Sequence, residues 1–241
     1  MQPGGGAPAG TRWARLTWQA GDPAGLAVTL ARRLDVAARP LGPDAWALSL
    51  GGDRVEVVPW RAEGERDVPS PEGRLVFEPI EGGGPVPLPV SGSPLALVGV
   101  AWSTVELDRA EAELDPWLLA PDGARGDGDA PEDPHLGASA RRRRTAALPG
   151  GTLVLAEPST EGRLAASLAR DGEGPCALFL APSAGLAAWV ADARRRGVQV
   201  SARRPGPMGS AVLLPGRSVA GPHLLIVEAV AMPPGPSTIA P

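Results

Sequence analysis

Cysteine is nearly absent from this sequence, in which Cys176 is the single one among 241 residues. One thiol cannot form an internal disulfide, and it cannot supply the several ligands of a Cys-rich zinc site. All 23 basic residues are arginine, and lysine, asparagine and tyrosine do not occur. Such a bias is typical of a GC-rich genome, so the abundance of Arg, Ala, Gly and Pro does not by itself indicate a function.

Long apolar runs are missing as well. No stretch approaches the roughly 20 apolar residues of a membrane span, and residues 1–6 have neither the basic start nor the apolar middle of a signal peptide. These features predict a cytoplasmic protein with no membrane partner. The net charge of -4 comes from mixed signs, so the chain as a whole has no field that would attract nucleic acid.

Apolar residues make up 43% of the chain, which is enough for a sizeable core. Around the Gly-rich turn 172–174 the pattern is that of a strand, a helix and three further strands. These predicted elements cover residues 175–180, 184–196, 198–201, 210–214 and 223–230. Together they predict a β-α-β-β-β module over residues 175–230.

The same order of elements occurs upstream, over residues 97–158 and, in a more diverged form, over residues 11–80. A repeated unit supports an architecture better than any single element does. We therefore predict a diverged N-terminal βαβββ module at 11–80, a Pro/Gly linker at 81–92 and a double module at 93–232. Within the double module, residues 121–139 are acidic and rich in Gly and Pro, and they predict a solvated surface loop.

Four short segments resemble the vicinal oxygen chelate superfamily, the glyoxalase-like proteins, and within it the double module of methylmalonyl-CoA epimerases and glyoxalases. The segments are residues 99–102 with 106–108, residues 153–158, residues 172–174 and residues 221–228. The resemblance covers about residues 96–230. It implies an α+β fold in which tandem βαβββ modules form curled mixed sheets around a cup.

In the metal-dependent members of this superfamily, side chains at fixed strand positions bind a divalent ion at the base of the cup. His, Gln or Glu is needed there, because borderline and hard cations require imidazole or oxygen donors. The resemblance assigns these positions to Gly99, Val154, Ala177 and Leu225, and none of these side chains can bind a metal. A slip of one residue would bring in Cys176, whose lone thiolate would still not make a site. We therefore expect neither a metal nor another cofactor.

Side chains alternate along a strand, so the concave face should also present Ala101, Thr152, Phe179 and His223. This lining predicts a mostly small and apolar pocket with free volume at its base. His223 is its one titratable group and is expected nearer the mouth. An isolated imidazole beside apolar walls can orient a ligand or act as an acid or base, whereas a His at a strand end is more often solvated or bonded to backbone.

Residues 141–144 are consecutive arginines in a strand-like segment, so only one alternate pair can face the cup. With Arg141 and Arg143 facing it, the run predicts a clamp for a carboxylate or a phosphate. The alternative interpretation is an exposed edge strand that charge keeps soluble. In the N-terminal module, Glu56 is the one ligand-type residue at such a position, and we interpret it as an outward or hydrogen-bonded strand residue.

Fold does not fix function, and these residues leave two classes open. The first is a metal-free protein that binds a small, largely apolar organic molecule in the cup of the double module. The second is a lyase or isomerase that uses His223 and an arginine clamp for acid/base chemistry; a non-binding interaction scaffold is a further alternative. Binding is favoured, because the cup lacks a second polar partner for His223. The odd number of modules predicts that the unpaired one packs either on a partner chain, as in a homodimer, or on the edge of the double module.

Overall fold

The computed structural model describes residues 13–62, 72–80, 92–114, 129–145, 147–216 and 219–228. These residues form two mixed sheets, of five and eight strands, and four helices. Nearly all of the predicted linker 81–92 and the first part of the predicted loop 121–139 lie outside the described residues. No helix in the described ranges is long and apolar enough to cross a membrane.

The five-stranded sheet is a βαβββ module with one added strand. Its elements are β1 (Trp13–Ala20), α1 (Pro23–Leu34), β2 (Ala38–Pro40), β3 (Trp46–Leu50), β4 (Asp53–Pro59) and β5 (Arg74–Ile80). α1 begins at Pro23, because the Asp22 carboxylate accepts from the backbone N–H of Gly25 at 2.9 Å and Pro23 fits the first turn. The strand order is β2-β3-β4-β1-β5, with β1 parallel to β4 and antiparallel to β5.

The eight-stranded sheet consists of two βαβββ modules joined side by side. The first contains β6 (Leu95–Ser103), α2 (Leu107–Leu114), β7 (Asp129–Asp133), β8 (Ala138–Arg144) and β9 (Thr152–Pro158). A connecting helix, α3 (Arg163–Asp171), leads to β10 (Gly174–Pro182), α4 (Leu186–Arg195), β11 (Arg204–Gly206), β12 (Gly209–Leu214) and β13 (His223–Val227). The order is β11-β12-β13-β10-β6-β9-β8-β7.

The central pair of this sheet joins the two modules. β6 and β10 are antiparallel to each other, and each is parallel to the last strand of its own module, β9 and β13 respectively. The end strands β7 and β11 contact each other, so the sheet curls into a near-barrel. The predicted α+β fold of tandem, curled βαβββ modules is confirmed. In the smaller sheet β5 lies beside β1, as β10 lies beside β6, so the chain itself provides a strand for the unpaired module's edge.

Two predicted segments differ from the structure. Part of the predicted loop 121–139 is a strand, since β7 pairs antiparallel with β8 and places Asp129 opposite Arg141. Pairing with a neighbouring strand here outweighs the turn-like local composition. The predicted strand 198–201 is wrong as well, because no strand forms there. Val198 instead donates its N–H to the carbonyl of Ala193 at 2.8 Å and caps the C-terminal end of α4.

The two sheets share a core in which α1 and α4 pack. One continuous apolar cluster takes members from both sheets and both helices, including Leu16, Trp18, Leu30, Leu178, Trp189 and Ile226. Arg196, which follows α4, donates from Nη1 to the carbonyl oxygens of Arg32 and Arg33 at 3.0 and 3.3 Å. The outer face of β10, β12 and β13 is therefore covered in part by the N-terminal module.

Candidate functional site on the inner face of the eight-stranded sheet

The residues predicted to line the cup do come together on one face of the sheet. They are Gly99 and Ala101 on β6, Thr152 and Val154 on β9, Ala177 and Phe179 on β10, and His223 and Leu225 on β13. The register places Ala101 opposite both Val154 and Ala177, and Phe179 opposite Leu225. The two-residue alternation of side chains along each strand accounts for this shared face.

Small apolar side chains continue this wall around the near-barrel. The inner cluster adds five buried alanines, together with larger apolar residues that pack between them. The added alanines are Ala138, Ala140, Ala156, Ala181 and Ala211. Most of the wall is thus neutral and offers no hydrogen bonds from its side chains.

The four positions that the resemblance assigns to metal ligands have no side chain here that could bind a metal. Gly99, Val154, Ala177 and Leu225 lie on the four central strands and have no donor atom in their side chains. Within the described part of the chain there is no group of three or more His, Cys, Asp or Glu side chains that could hold a metal ion. No step of a metal-dependent reaction can therefore be assigned to these four positions.

Helix α3 closes one end of the cup. Leu164 is fully buried in the inner cluster, and its N–H donates to the carbonyl of Leu136 at 3.1 Å. One turn further on, the Ser167 hydroxyl donates to the carbonyl of Ala220 and lies 3.3 Å from Nε2 of His223. The amphipathic pattern of this helix follows from the sequence, but its position across the sheet does not.

His223 is held against this helix and is not a solvent-facing group at a mouth. It is 2% exposed. Burial, and then the charges of Arg163 and Arg170, lower its pKa to about 4, while a hydrogen bond to the Arg163 backbone partly opposes the shift. The imidazole is therefore neutral near pH 7. A neutral, buried imidazole within hydrogen-bonding distance of Ser167 fits a structural role for this strand-end histidine better than a role as a general acid.

The space above Gly99, where free volume was expected, is occupied by Met208. A Cβ on Gly99 would lie 3.3 Å from Cε of Met208 and 3.2 Å from the carbonyl oxygen of Thr152. Met208 belongs to the turn between β11 and β12, and its side chain packs against the inner cluster. Nothing in the local sequence predicts this contact, because it joins the hairpin at one end of the strand order to the central strand β6.

Asp133, the last residue of β7, is a polar inner-face residue that sequence reasoning missed. It lies opposite Ala138 and is 2% exposed. Its Oδ1 accepts from the backbone N–H groups of His135 and Leu136, at 2.9 and 3.2 Å. Its Oδ2 is buried and has no hydrogen-bond partner in the described part of the chain. Burial raises the pKa of this carboxyl, although the two N–H groups partly oppose the rise.

The β11–β12 turn lies beside Asp133 as well as over Gly99. A Cβ on Gly206 would lie 3.9 Å from Oδ2 of Asp133. Nearby, Nε2 of His135 lies 3.1 Å from the carbonyl oxygen of Ala211, which fastens the turn after β7 to β12. The two ends of the strand order thus meet around Asp133.

The predicted arginine clamp is wrong, because Arg141 and Arg143 lie on the outer face. Arg141 Nη1 contacts Asp108 and Glu111 of α2 at 2.6 and 2.8 Å, and Arg143 Nε contacts Glu111 at 2.5 Å. Since Ala138 and Ala140 face inward, alternation turns residues 141 and 143 outward. The other pair, Arg142 and Arg144, lies opposite the inner-face residues Val154 and Thr152.

Cys176 has no properties of a reactive thiol. It is 5% exposed, and burial raises its pKa to about 12 although Ser103 hydrogen-bonds to it. In the smaller sheet, the Glu56 carboxylate pairs with Arg15 at 3.3 Å and with Arg54 at 2.8 Å. Glu56 is thus a hydrogen-bonded strand residue, one of the two outcomes that its sequence position allowed.

Two cavities lined by described residues lie where the two sheets meet, outside the cup. The larger, of about 340 Å³, lies between α1 and the ends of β12 and β13, with Trp18, Leu30 and Leu224 in its lining. The smaller, of about 220 Å³, lies beside the stacked rings of Phe77 and Trp102, whose centroids are 5.9 Å apart. Both are lined by residues of the N-terminal module together with residues of the double module.

Paired βαβββ modules that curl around a shared inner face define the vicinal oxygen chelate fold, and this chain has that fold. Its structure is similar to methylmalonyl-CoA epimerase from Mycobacterium tuberculosis, with 19% identity, a TM-score of 0.48, and coverage of 58% of this chain and 92% of that one. A single-residue variant of the Streptomyces coelicolor epimerase, in complex with 2-nitronate-propionyl-CoA, matches with 21% identity, a TM-score of 0.43, and coverage of 56% and 94%.

A mutant of 4-hydroxymandelate synthase from Streptomyces coelicolor matches over more of the chain. It shares 14% identity with a TM-score of 0.55, and the match covers 89% of this chain and 90% of that one. No family profile and no curated protein matches the sequence. At 14% identity the match to the synthase mutant supports the fold alone. The ligand and the reaction have to be argued from the residues of this chain.

Proposed function

We propose that this protein binds a small, largely apolar organic molecule in the cup of the eight-stranded sheet, without a metal ion. The observation that carries the proposal is the apolar inner face itself. Gly99, Val154, Ala177 and Leu225, which the resemblance assigns to the metal-ligand positions, lie on the strands that form it. Filling such a site gains about 25 cal/mol per Å² of apolar area removed from water. The expected partner is therefore a small molecule, and not nucleic acid or a membrane.

The ligand would enter where Met208 covers Gly99. Methionine is flexible and polarisable, so its side chain adapts to new contacts at lower cost than a branched or aromatic one. Moving this one side chain would free the space next to Gly99 and Thr152. α3 closes the opposite end through Leu164 and Ser167, which leaves the β11–β12 turn as the part of the wall suited to open.

The alternative enzyme, with His223 and an arginine clamp, has less support. His223 faces α3, whereas Arg141 and Arg143 bind the carboxylates of α2 on the outer face. These groups cannot act on one molecule. A binding role needs no such pair.

Propylbenzene is a suitable probe, because it is small and wholly apolar. We expect it to raise the melting temperature and to shift the ¹³C-methyl NMR signal of Met208. Met208→Ala should bind it more tightly, since the space is then free without displacement, and Ala177→Phe should abolish binding by placing a ring in the cup. Ala187→Phe, which adds the same ring at an exposed position of α4, is the control.

Failure of propylbenzene to bind either the wild type or Met208→Ala would contradict the proposal. The inner face would then be a closed core, and the protein would be better described as an interaction scaffold. Binding that Ala177→Phe leaves intact would instead place the ligand outside the cup, for example in one of the cavities between the sheets.

Metal analysis tests the second half of the proposal. The purified protein should contain no stoichiometric divalent metal, and EDTA should leave its melting temperature unchanged. Zinc, iron, manganese or nickel that resists dialysis would overturn it. We also expect a cytoplasmic location, and light scattering will decide between a monomer and the homodimer that the odd number of modules suggested.

A further inference from the structure

We infer that the molecule bound in the cup carries a protonated amine on its apolar body, and that this amine donates to Oδ2 of Asp133. The inference rests on the proposed function and adds the chemical class of the ligand. It starts from a buried carboxylate oxygen that has no hydrogen-bond partner among the described residues and lies on an alanine-rich part of the wall.

The orientation of the Asp133 carboxylate is fixed by its other oxygen. Oδ1 accepts from the N–H groups of His135 and Leu136 at 2.9 and 3.2 Å, within the turn that joins β7 to β8. These two hydrogen bonds to Oδ1 prevent the carboxylate from rotating, so Oδ2 cannot turn towards solvent. Oδ2 therefore keeps its place on the inner face, opposite Ala138 and beside Gly206.

No described group forms a hydrogen bond with this oxygen. His135 and Cys176 interact electrostatically with Asp133, yet neither donates to Oδ2. His135 directs Nε2 at the carbonyl of Ala211 and lies with Nδ1 3.5 Å from the Ser201 hydroxyl. A buried acceptor without a donor is destabilising, and such groups in native proteins call for a ligand, an ion or a water to complete them.

An amine is the donor that best fits an aspartate in apolar surroundings. A carboxylate needs a positive charge to remain ionised away from water, and the hydrogen bond between an ammonium and a carboxylate is about twice as strong as a neutral one. An alcohol would supply a weaker hydrogen bond, and a carboxylic acid would be repelled when ionised. The alanine-rich wall around Asp133 limits the rest of the ligand to an apolar body.

The β11–β12 turn connects this oxygen with the proposed entrance. Gly206 lies next to Oδ2, and Met208, two residues later, covers Gly99. Movement of this one turn would uncover the apolar base and the carboxylate together. A ligand with an ammonium group a few bonds away from an apolar ring would then contact both.

The test compares 3-phenylpropylamine with propylbenzene, which differ by the amine alone. Calorimetry on the full chain should show that the amine binds the wild type at least about ten-fold more tightly. Asp133→Asn should remove that advantage and leave propylbenzene binding unchanged. The asparagine oxygen can still accept from His135 and Leu136, so the turn is retained. Glu132→Gln, which removes a charge from the exposed neighbour on the same strand, should change neither affinity.

The outcomes separate this inference from the proposed function. If propylbenzene binds and the amine binds no better, the inference alone fails, and the partner of Oδ2 is a retained water. If neither compound binds, the proposed function fails and the inference fails with it. If the amine keeps its advantage in Asp133→Asn, another group recognises it and the inference is wrong.

A second measurement uses the wild type alone, in case Asp133→Asn does not fold. The carboxyl carbon of Asp133 can be titrated by ¹³C NMR with and without 3-phenylpropylamine. A bound ammonium should lower the pKa of Asp133, because the positive charge favours the carboxylate. An unchanged pKa at saturating amine contradicts the inference.

Discussion

Nε2 of His223 lies 3.3 Å from the hydroxyl oxygen of Ser167, and this contact joins the first residue of β13 to the helix that closes the cup. The Ser167 hydroxyl also donates to the carbonyl of Ala220, just before β13. Because both groups are buried, a charge on the imidazole cannot be hydrated. Protonation of His223 should therefore act on the stability of the fold.

The free energy of unfolding should decrease as the pH falls from 6.5 towards 4. The pKa of His223 is about 4 in the folded protein, against an ordinary value of 6.5, so the unfolded chain binds more protons in this window. The stability from the neutral imidazole is complete above 6.5 and is lost as the pH falls through the window. The full shift corresponds to a loss on the order of 3 kcal/mol.

His223→Gln isolates this contribution in urea denaturation at several pH values. The comparison with a variant is needed, because the raised pKa of Asp133 gives a slope of the opposite sign. The wild type should lose more stability than the variant between pH 6.5 and 4. If the free energy of unfolding changes equally with pH in the two proteins, the imidazole of His223 is not shielded from water.

Gly221→Ala should be strongly destabilising, by about 2 to 4 kcal/mol. Gly221 has a φ of 82°, and a Cβ there would lie 2.8 Å from Nε2 of His223. Gly172→Ala is the matched control, since Gly172 has a φ of 74° and no atom within 4 Å of the added Cβ. The difference between the two unfolding free energies measures the contact with His223 alone; equal losses would mean that the ring simply moves away.

Arg143→Met should lower stability by about 1 to 2 kcal/mol and leave propylbenzene binding unchanged. Arg143 pairs with Glu111 of α2 and has a side chain that is 16% exposed, so this pair is better shielded than a surface salt bridge. Arg39→Met, at an exposed position of β2, should have almost no effect. Loss of ligand affinity in Arg143→Met would show that Arg143 contributes to ligand binding. This result would contradict its position on the outer face.

Residues 93–241 expressed alone should not unfold cooperatively. Leu178, Leu180 and Ile226 are at most 2% exposed and belong to a cluster that includes residues of the N-terminal module. Truncation would expose this outer face to water. As a control, a protease site placed in the linker 81–92 should leave the cleaved full chain folded. A sharp melting transition of the isolated piece would show that the double module has a sufficient core of its own.

The sequence by itself determined the order of elements and the identity of the inner face. Alternation of apolar residues follows from the two-residue period of a strand, so the placement of Ala101, Val154, Phe179 and Leu225 on one face could be read locally. The capped start of α1 at Asp22 and Pro23 is also a local property. The loss of metal ligands depends only on which residues occupy these strand positions.

The tertiary structure decided what the inner face contacts. Whether Arg141 or Arg142 faces inward depends on register with β9, and a shift of one residue reverses the two faces. The contact of Met208 with Gly99 and the bond of His223 to Ser167 join residues far apart in the chain, which no local period encodes. Burial of Asp133 arises in the same way, because it requires the end strands β7 and β11 to meet when the sheet curls.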